Sequence, residues 1–126
     1  MTGNVTGNSI PLKMIFAVIQ PTKLDAVQQA LSRLDVTRMT VGDAMGYARQ
    51  RGQLENYRGH EYKTNLLRKI ALEIAVNDDF VDSTVECLEE VARTSTEGHI
   101  GDGKIFVVRM EQAIQISDGY RGKGAI

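Results

Sequence analysis

The chain has a single cysteine, Cys87, only two histidines and two prolines, and no tryptophan. One cysteine excludes an internal disulfide and any multi-cysteine metal centre. Cys87 falls inside a helical pattern and reads as an inert, half-buried thiol. His60 and His99 are far apart and lack the i, i+4 spacing of a helical ligand pair, so no dedicated zinc site is expected. A basic excess is also missing. Fifteen Lys and Arg face 16 Asp and Glu, for a formal net charge of −1 and a pI near 6.1. That balance argues against a nucleic-acid binder, which normally carries a strong positive surplus. No apolar run approaches the ~20 residues that span a bilayer, and the N-terminus lacks a signal-peptide pattern. A cytoplasmic protein is expected.

What is present suits one soluble domain: 126 residues, 42% hydrophobic and 25% charged. Residues 1–12 begin with MTGNVTGNS, which has little to bury and reads as a disordered tail, with the domain covering 13–126. Met14, Ile15, Phe16, Ala17, Val18 and Ile19 form a short strand-like run ended by Pro21. Leu24, Val27, Ala30, Leu31 and Leu34 then repeat at helical spacing. Residues 37–48 favour a strand, weakened by Gly42 and Gly46. Ile70, Leu72, Ile74 and Val76 alternate with Ala71, Glu73 and Ala75, the clearest strand pattern in the chain. Asn77, Asp78 and Asp79 supply helix N-cap chemistry, and Val81, Val85, Leu88 and Ala92 follow at helical spacing. Residues 104–110 make the last strand. The order β-α-β-loop-β-α-β matches two split βαβ units, an α+β ferredoxin-like antiparallel sheet with both helices on one face. The other face has no helix to cover it, so assembly through that face is expected.

Two polar segments carry the functional signal. Residues 49–62, RQRGQLENYRGHEY, hold three arginines, two tyrosines and two glutamates between strands that are normally joined by about two to five residues. Such an excursion is a poor core and a good docking arm; a plain solvated loop is the alternative. The second segment is Gly98-His99-Ile100-Gly101-Asp102-Gly103-Lys104. It formally matches G-x-x-x-x-G-K, but Ile105 offers no hydroxyl for Mg²⁺ and the segment enters a strand rather than a helix. What survives is an anion-binding turn, with backbone N–H groups freed by glycine and a lysine at the strand's mouth. An ordinary loop that needs glycine for its backbone angles remains the alternative. A phosphoryl-transfer enzyme is disfavoured, because no general base or metal-binding carboxylate pair accompanies the turn.

Together, Tyr57-Arg58-Gly59-His60-Glu61-Tyr62 and Gly101-Asp102-Gly103-Lys104-Ile105-Phe106-Val107 resemble the paired signatures of the PII nitrogen-regulatory signalling proteins. Gln20-Pro21-Thr22-Lys23-Leu24-Asp25 and Asn77-Asp78-Asp79 extend the resemblance over most of the chain. The resemblance implies a homotrimer that binds ATP or ADP between subunits, senses 2-oxoglutarate with Mg-ATP, and contacts an ammonium transporter or a nitrogen-assimilation enzyme through its T-loop. Membrane contact would then be peripheral, through such a transporter only. The loops fall at about 48–64 (T-loop), 93–104 (B-loop) and 115–126 (C-terminal loop). By position, Gly101, Gly103 and Lys104 hold phosphates, with Asp102 in the same nucleotide-binding turn and Arg49 reaching it from the T-loop base. Met39 and Thr40 meet the adenine and Glu73 the ribose. Gln50 coordinates Mg²⁺ beside 2-oxoglutarate, and Lys69 pairs with a carboxylate of that acid. Tyr62 matches a modifiable tyrosine, and Arg58 an arginine that plugs an ammonium channel.

The chain departs from the family pattern at several points. His60 replaces a small residue, Ala48 a glycine and His99 a lysine, while the loop around residues 94–98 is longer. Gln115 and Ser117 stand where arginines usually face the nucleotide phosphates, with Arg121 and Lys123 as nearby cations. These departures admit a second reading, a PII-like sensor whose ligand has shifted to ADP, AMP or another small anion. The T-loop has few apolar side chains to offset the ordering cost of ~1–2 kcal/mol per residue, so it is expected to be mobile until a partner binds. Deleting residues 53–61 should leave assembly and ADP binding nearly intact while abolishing partner binding, and strong amide protection across residues 54–61 in the free protein would contradict the arm.

Overall fold

The structure is a computed structural model that describes residues 11–51, 62–95 and 97–126, with the side chains of 47–51, 62–65 and 100 outside the described set. Strand β1 (Leu12–Ile19) leads through a short turn into helix α1 (Leu24–Arg33). Strands β2 (Thr40–Arg51) and β3 (Tyr62–Asn77) follow, then helix α2 (Val81–Ala92) and strand β4 (Gly103–Arg109). The four strands form one antiparallel sheet in the order β2-β3-β1-β4. This is the expected ferredoxin-like arrangement.

Alternation along the strands decides which face is the core. Ile15, Ala17 and Ile19 of β1 lie beside Ile74, Leu72 and Ile70 of β3, and all six are buried. Val27 and Leu31 of α1 and Leu88 of α2 close over them, each fully inaccessible to solvent. Full burial of such a side chain contributes ~1.5–3 kcal/mol, so this layer fixes the strand register. A slip of one residue would turn every one of these groups outward. Helix α1 stops in a Schellman turn. Asp35 takes a left-handed φ of 64°, and the Val36 N–H donates to the Leu31 carbonyl while Asp35 N–H donates to Ser32.

Four details differ from the sequence expectation. The first strand begins at Leu12, because Leu12 is fully buried and its carbonyl accepts from Met110 N–H. β2 and β3 run as a continuous ladder to Arg51↔Tyr62, beyond the expected T-loop bounds, since backbone pairing does not require apolar side chains. The rest of that loop, with Arg58, lies outside the described residues. Asn77 makes no side-chain cap; a 3₁₀ turn over Asp78–Phe80 precedes α2, and Asp78 instead pairs with Lys13 at 2.5 Å. On α2 the buried line runs through Thr84, Leu88 and Ala92, with Val81 and Val85 only partly covered, so the inward stripe begins on a polar residue. Cys87 packs against the core, and burial and then Glu90 push its thiol pKa up, against Arg33.

Among the described residues no helix covers the sheet's other face. Phe16 and Phe106 pair directly across β1 and β4 there, 37% and 53% exposed, with Val108 beside Met14 in the next row. No helix among the described residues is long and apolar enough to cross a membrane.

Thr84 is completely buried and its hydroxyl has no hydrogen-bond partner among the described residues. A buried unmatched polar group costs ~1–3 kcal/mol. Thr84→Val should therefore raise the denaturant midpoint at fixed protein concentration by about 1 kcal/mol equivalent; a loss of stability would show that the hydroxyl is satisfied after all.

Candidate functional site

The turn into β4 is built around Gly103. Its φ is +127°, and a Cβ placed there would stand 1.8 Å from the Val18 carbonyl oxygen. Only glycine permits this approach of two backbones. Gly101 is a different case. Among the described residues a Cβ there would meet nothing within 4 Å, so their packing does not demand a glycine. Its open side is suited to the approach of a ligand or a second chain.

The Gly101 carbonyl is held from two directions. Lys69 Nζ on β3 donates to it at 2.7 Å, and Gln20 Nε2 at the end of β1 donates at 3.2 Å. The Lys69 stem lies over Gly46, where an added Cβ would approach Lys69 Cγ to 3.2 Å. On the other side of the turn, Asp102 brackets the preceding loop. Its Oδ2 accepts from His99 N–H at 2.8 Å and Thr94 N–H at 3.2 Å, while Oδ1 is buried without a partner. Desolvation raises the Asp102 pKa, but the hydrogen bonds from His99 and Thr94 outweigh it and hold the carboxyl below its ordinary range. Asp102 thus shapes the turn, and its negative charge does not attract phosphate directly. A hollow of about 710 Å³ opens between α2 and β4 and reaches this turn, with Leu88, Ala92, His99, Asp102 and Val107 among its walls. That volume suits a small ligand. Among the described residues no three His, Cys, Asp or Glu side chains gather as a metal centre.

The remaining predicted residues are elsewhere. Thr40 pairs with Glu73, which pairs with Phe16, which pairs with Phe106, making one row across the uncovered face. Lys104 belongs to the next row, beside Val18. Thr40 and Lys104 are therefore three strand spacings apart, about 14 Å across the sheet. Met39 packs its side chain against the core, leaving its backbone as the part able to meet a base. Arg49 and Gln50 sit in the β2 ladder opposite Thr64 and Lys63, and Tyr62 lies opposite Arg51. One chain thus gathers Gly101, Gly103, Lys104 and Lys69 at one end and sets Met39, Thr40 and Glu73 apart.

The profile of the Nitrogen regulatory protein P-II family matches residues 12–120. The chain belongs to that family. Nitrogen regulatory protein GlnK1 of Methanosarcina mazei is 44% identical over 117 residues, 93% of this chain and 99% of that protein. The fold is similar to that of Bacillus subtilis GlnK in complex with ATP, at 27% identity and a TM-score of 0.73, covering 91% and 97% of the two chains. It is equally similar to Arabidopsis thaliana PII bound to citrate, at 30% identity and a TM-score of 0.73, with 97% of each chain covered. Its P-II relatives are named as regulators, and the chain is a nitrogen-regulatory signalling protein rather than an enzyme.

Within this PII fold, Gln20 is the contact that residue-by-residue reading missed. It was visible only as the first letter of the Gln20-Pro21 motif. Gln115 and Ser117 bond each other, Nε2 to Oγ at 3.0 Å, in a small C-terminal hairpin closed by the Ile114↔Arg121 bridge. Arg121 is held by Gln112 Oε1 at 2.6 Å.

The Asp102 bracket sets a pH dependence. A carboxylate whose folded-state pKa lies below its unfolded value stabilises fully above the unfolded value and loses that contribution as pH falls through the folded value. Wild type should therefore melt earlier on acidification through and below the ordinary carboxylate range, whereas Asp102→Asn should show a flatter acid limb in melting curves taken against pH. Identical acid limbs would remove Asp102 from this role.

Proposed function

We propose that the chain is a trimeric sensor of ATP or ADP and 2-oxoglutarate that regulates a nitrogen-metabolism transporter or enzyme through its T-loop, in the cytoplasm. The observation that carries this reading is the turn of residues 101–104. Gly103 forces the backbone, Gly101 is open, and the ammonium groups of Lys69 and Lys104 stand at the same end of the sheet. Backbone N–H groups beside two cations suit the phosphates of a nucleotide. Likeness to a GlnK solved with ATP and a PII solved with citrate supports a nucleotide and a small carboxylate as ligands.

Assembly completes the site in this reading. Residues proposed for phosphate and for the base lie at separate places on one chain, and a nucleotide held where two copies meet would take one set from each. The uncovered face with Phe16 and Phe106 gives the copies an apolar reason to join, and closed threefold symmetry buries it on every chain. Lys69 uses one N–H on Gly101 and keeps others for a carboxylate of 2-oxoglutarate. Gln50 would hold Mg²⁺ through its amide oxygen, a ligand suited to a hard cation, and the metal would screen the charges of triphosphate and dicarboxylate. Each ligand then tightens the other, and their shared presence selects among conformations of the T-loop.

The Gln115–Ser117 pair favours a second reading. Two neutral groups bonded to each other, with Arg121 drawn to Gln112, leave Lys123 as the hairpin's other cation for a triphosphate. A site of that kind suits ADP or AMP better than ATP.

Light scattering should find a trimer at micromolar concentration, and a monomer there would end the shared-site reading. In calorimetry, Lys104→Ala should weaken ATP about tenfold to hundredfold, the loss of a charged hydrogen-bond partner, with a much smaller effect on AMP. 2-Oxoglutarate should bind only with Mg-ATP present. Binding without nucleotide, or no binding at all, would favour the altered-ligand reading.

A further inference from the structure

The C-terminal hairpin is tied mainly to itself. Gly122 N–H donates to Ala113, Ala125 N–H to Gly122, and Ile126 N–H to Lys123. Tyr120 lies over Gly124, where an added Cβ would come within 2.8 Å of its ring. Beyond Met110, the one side-chain hydrogen bond from this hairpin to the rest of the chain, among the described residues, is Arg38 Nη1 to the Ile126 carbonyl at 3.3 Å. The contact spans a sequence separation of 88 residues. Ile126 also lines a hollow of about 220 Å³ with Val36, Thr37, Ala75 and Phe80. The far end of the hairpin is therefore seated against the α1–β2 connection and the end of β3.

Arg38 immediately precedes Met39 and Thr40, and Ala75 lies two residues from Glu73. Resting on the function proposed above, we infer that Arg38 is a positioning residue, a latch that seats residues 123–126 beside the adenine and ribose half of the nucleotide site. Two physical links carry the inference. The backbone of Arg38 continues directly into Met39 and Thr40, so the geometry that lets its guanidinium reach Ile126 also sets where β2 begins. The same seat holds the hairpin that bears Gln115 and Ser117, so a released latch leaves both free to swing away. Seating of the segment and nucleotide binding then favour each other by the same factor, as linkage requires.

Arg38→Ala and Arg38→Gln, made in the full chain, test the latch by amide hydrogen exchange and by calorimetry with ADP. Glutamine keeps an N–H donor and removes the charge. Arg38→Ala should speed exchange at Ala125 and Ile126 about two- to tenfold, the worth of one net hydrogen bond, and weaken ADP by a similar factor, while Arg38→Gln should retain most of both. ADP should also slow exchange at Ala125 and Ile126 in wild type. Unchanged exchange in Arg38→Ala overturns the latch. Faster exchange with unchanged ADP affinity overturns its coupling to the site. Equal loss of affinity in both variants without an exchange difference assigns Arg38 a purely electrostatic effect and overturns the proposal. A wild type that binds no ADP, ATP or AMP overturns the function on which the coupling rests, whereas the exchange difference still decides whether the latch exists.

Discussion

The close approach of Gly103 to the Val18 carbonyl is the constraint on which the site depends. A side chain at that position would collide with β1, so β4 can begin there only with glycine. That start puts Lys104 on the uncovered face beside Val18 and folds residues 100–102 back over the end of β1. Gln20 and Lys69 can then reach the Gly101 carbonyl, and the Asp102 carboxylate can close the loop behind it. Backbone sterics set the path, and hydrogen bonds from flexible side chains fasten it.

The two faces of the sheet divide stability from function. The helix side holds a dense aliphatic layer that fixes register. The other side is apolar in its middle, with Phe16 against Phe106, and polar toward the turn, with Lys69 and Lys104. One surface thus combines a reason for copies to associate with groups that attract anions. Thr40 and Glu73 stand three and two strands away from Lys104 on that same surface, and in the proposed reading assembly brings the two sets together.

Much of this was legible in the sequence. The alternation of Ile70, Leu72, Ile74 and Val76 and the helical spacing of Val27 and Leu31 identify the core, because periodicity follows from backbone geometry. The glycine-lysine turn was recognisable from residue types. Three local readings went differently. Thr84 lies one turn before Leu88 on α2, so the face that packs Leu88 and Ala92 into the core carries Thr84 inward with them. Asn77 is followed by the 3₁₀ turn over Asp78–Phe80, which moves the start of α2 to Val81, so Asn77 does not stand at that helix's cap position. The β2–β3 ladder ran further into polar sequence than expected, since neighbouring strands bond through their backbones whatever the side chains. Residues 52–61 of the arm lie outside the described residues.

The sequence alone determined the order of elements, the buried stripes of α1 and β3, the lack of a disulfide and the anion-friendly chemistry of the turn, all of which depend on composition or on neighbours a few residues apart. Tertiary structure decided which atoms those groups serve. Gln20 meets Gly101 across 81 residues, and Arg38 meets Ile126 across 88. No local period encodes such pairs. They exist because the strand order β2-β3-β1-β4 brings distant parts of the chain side by side, where long side-chain donors reach main-chain oxygens.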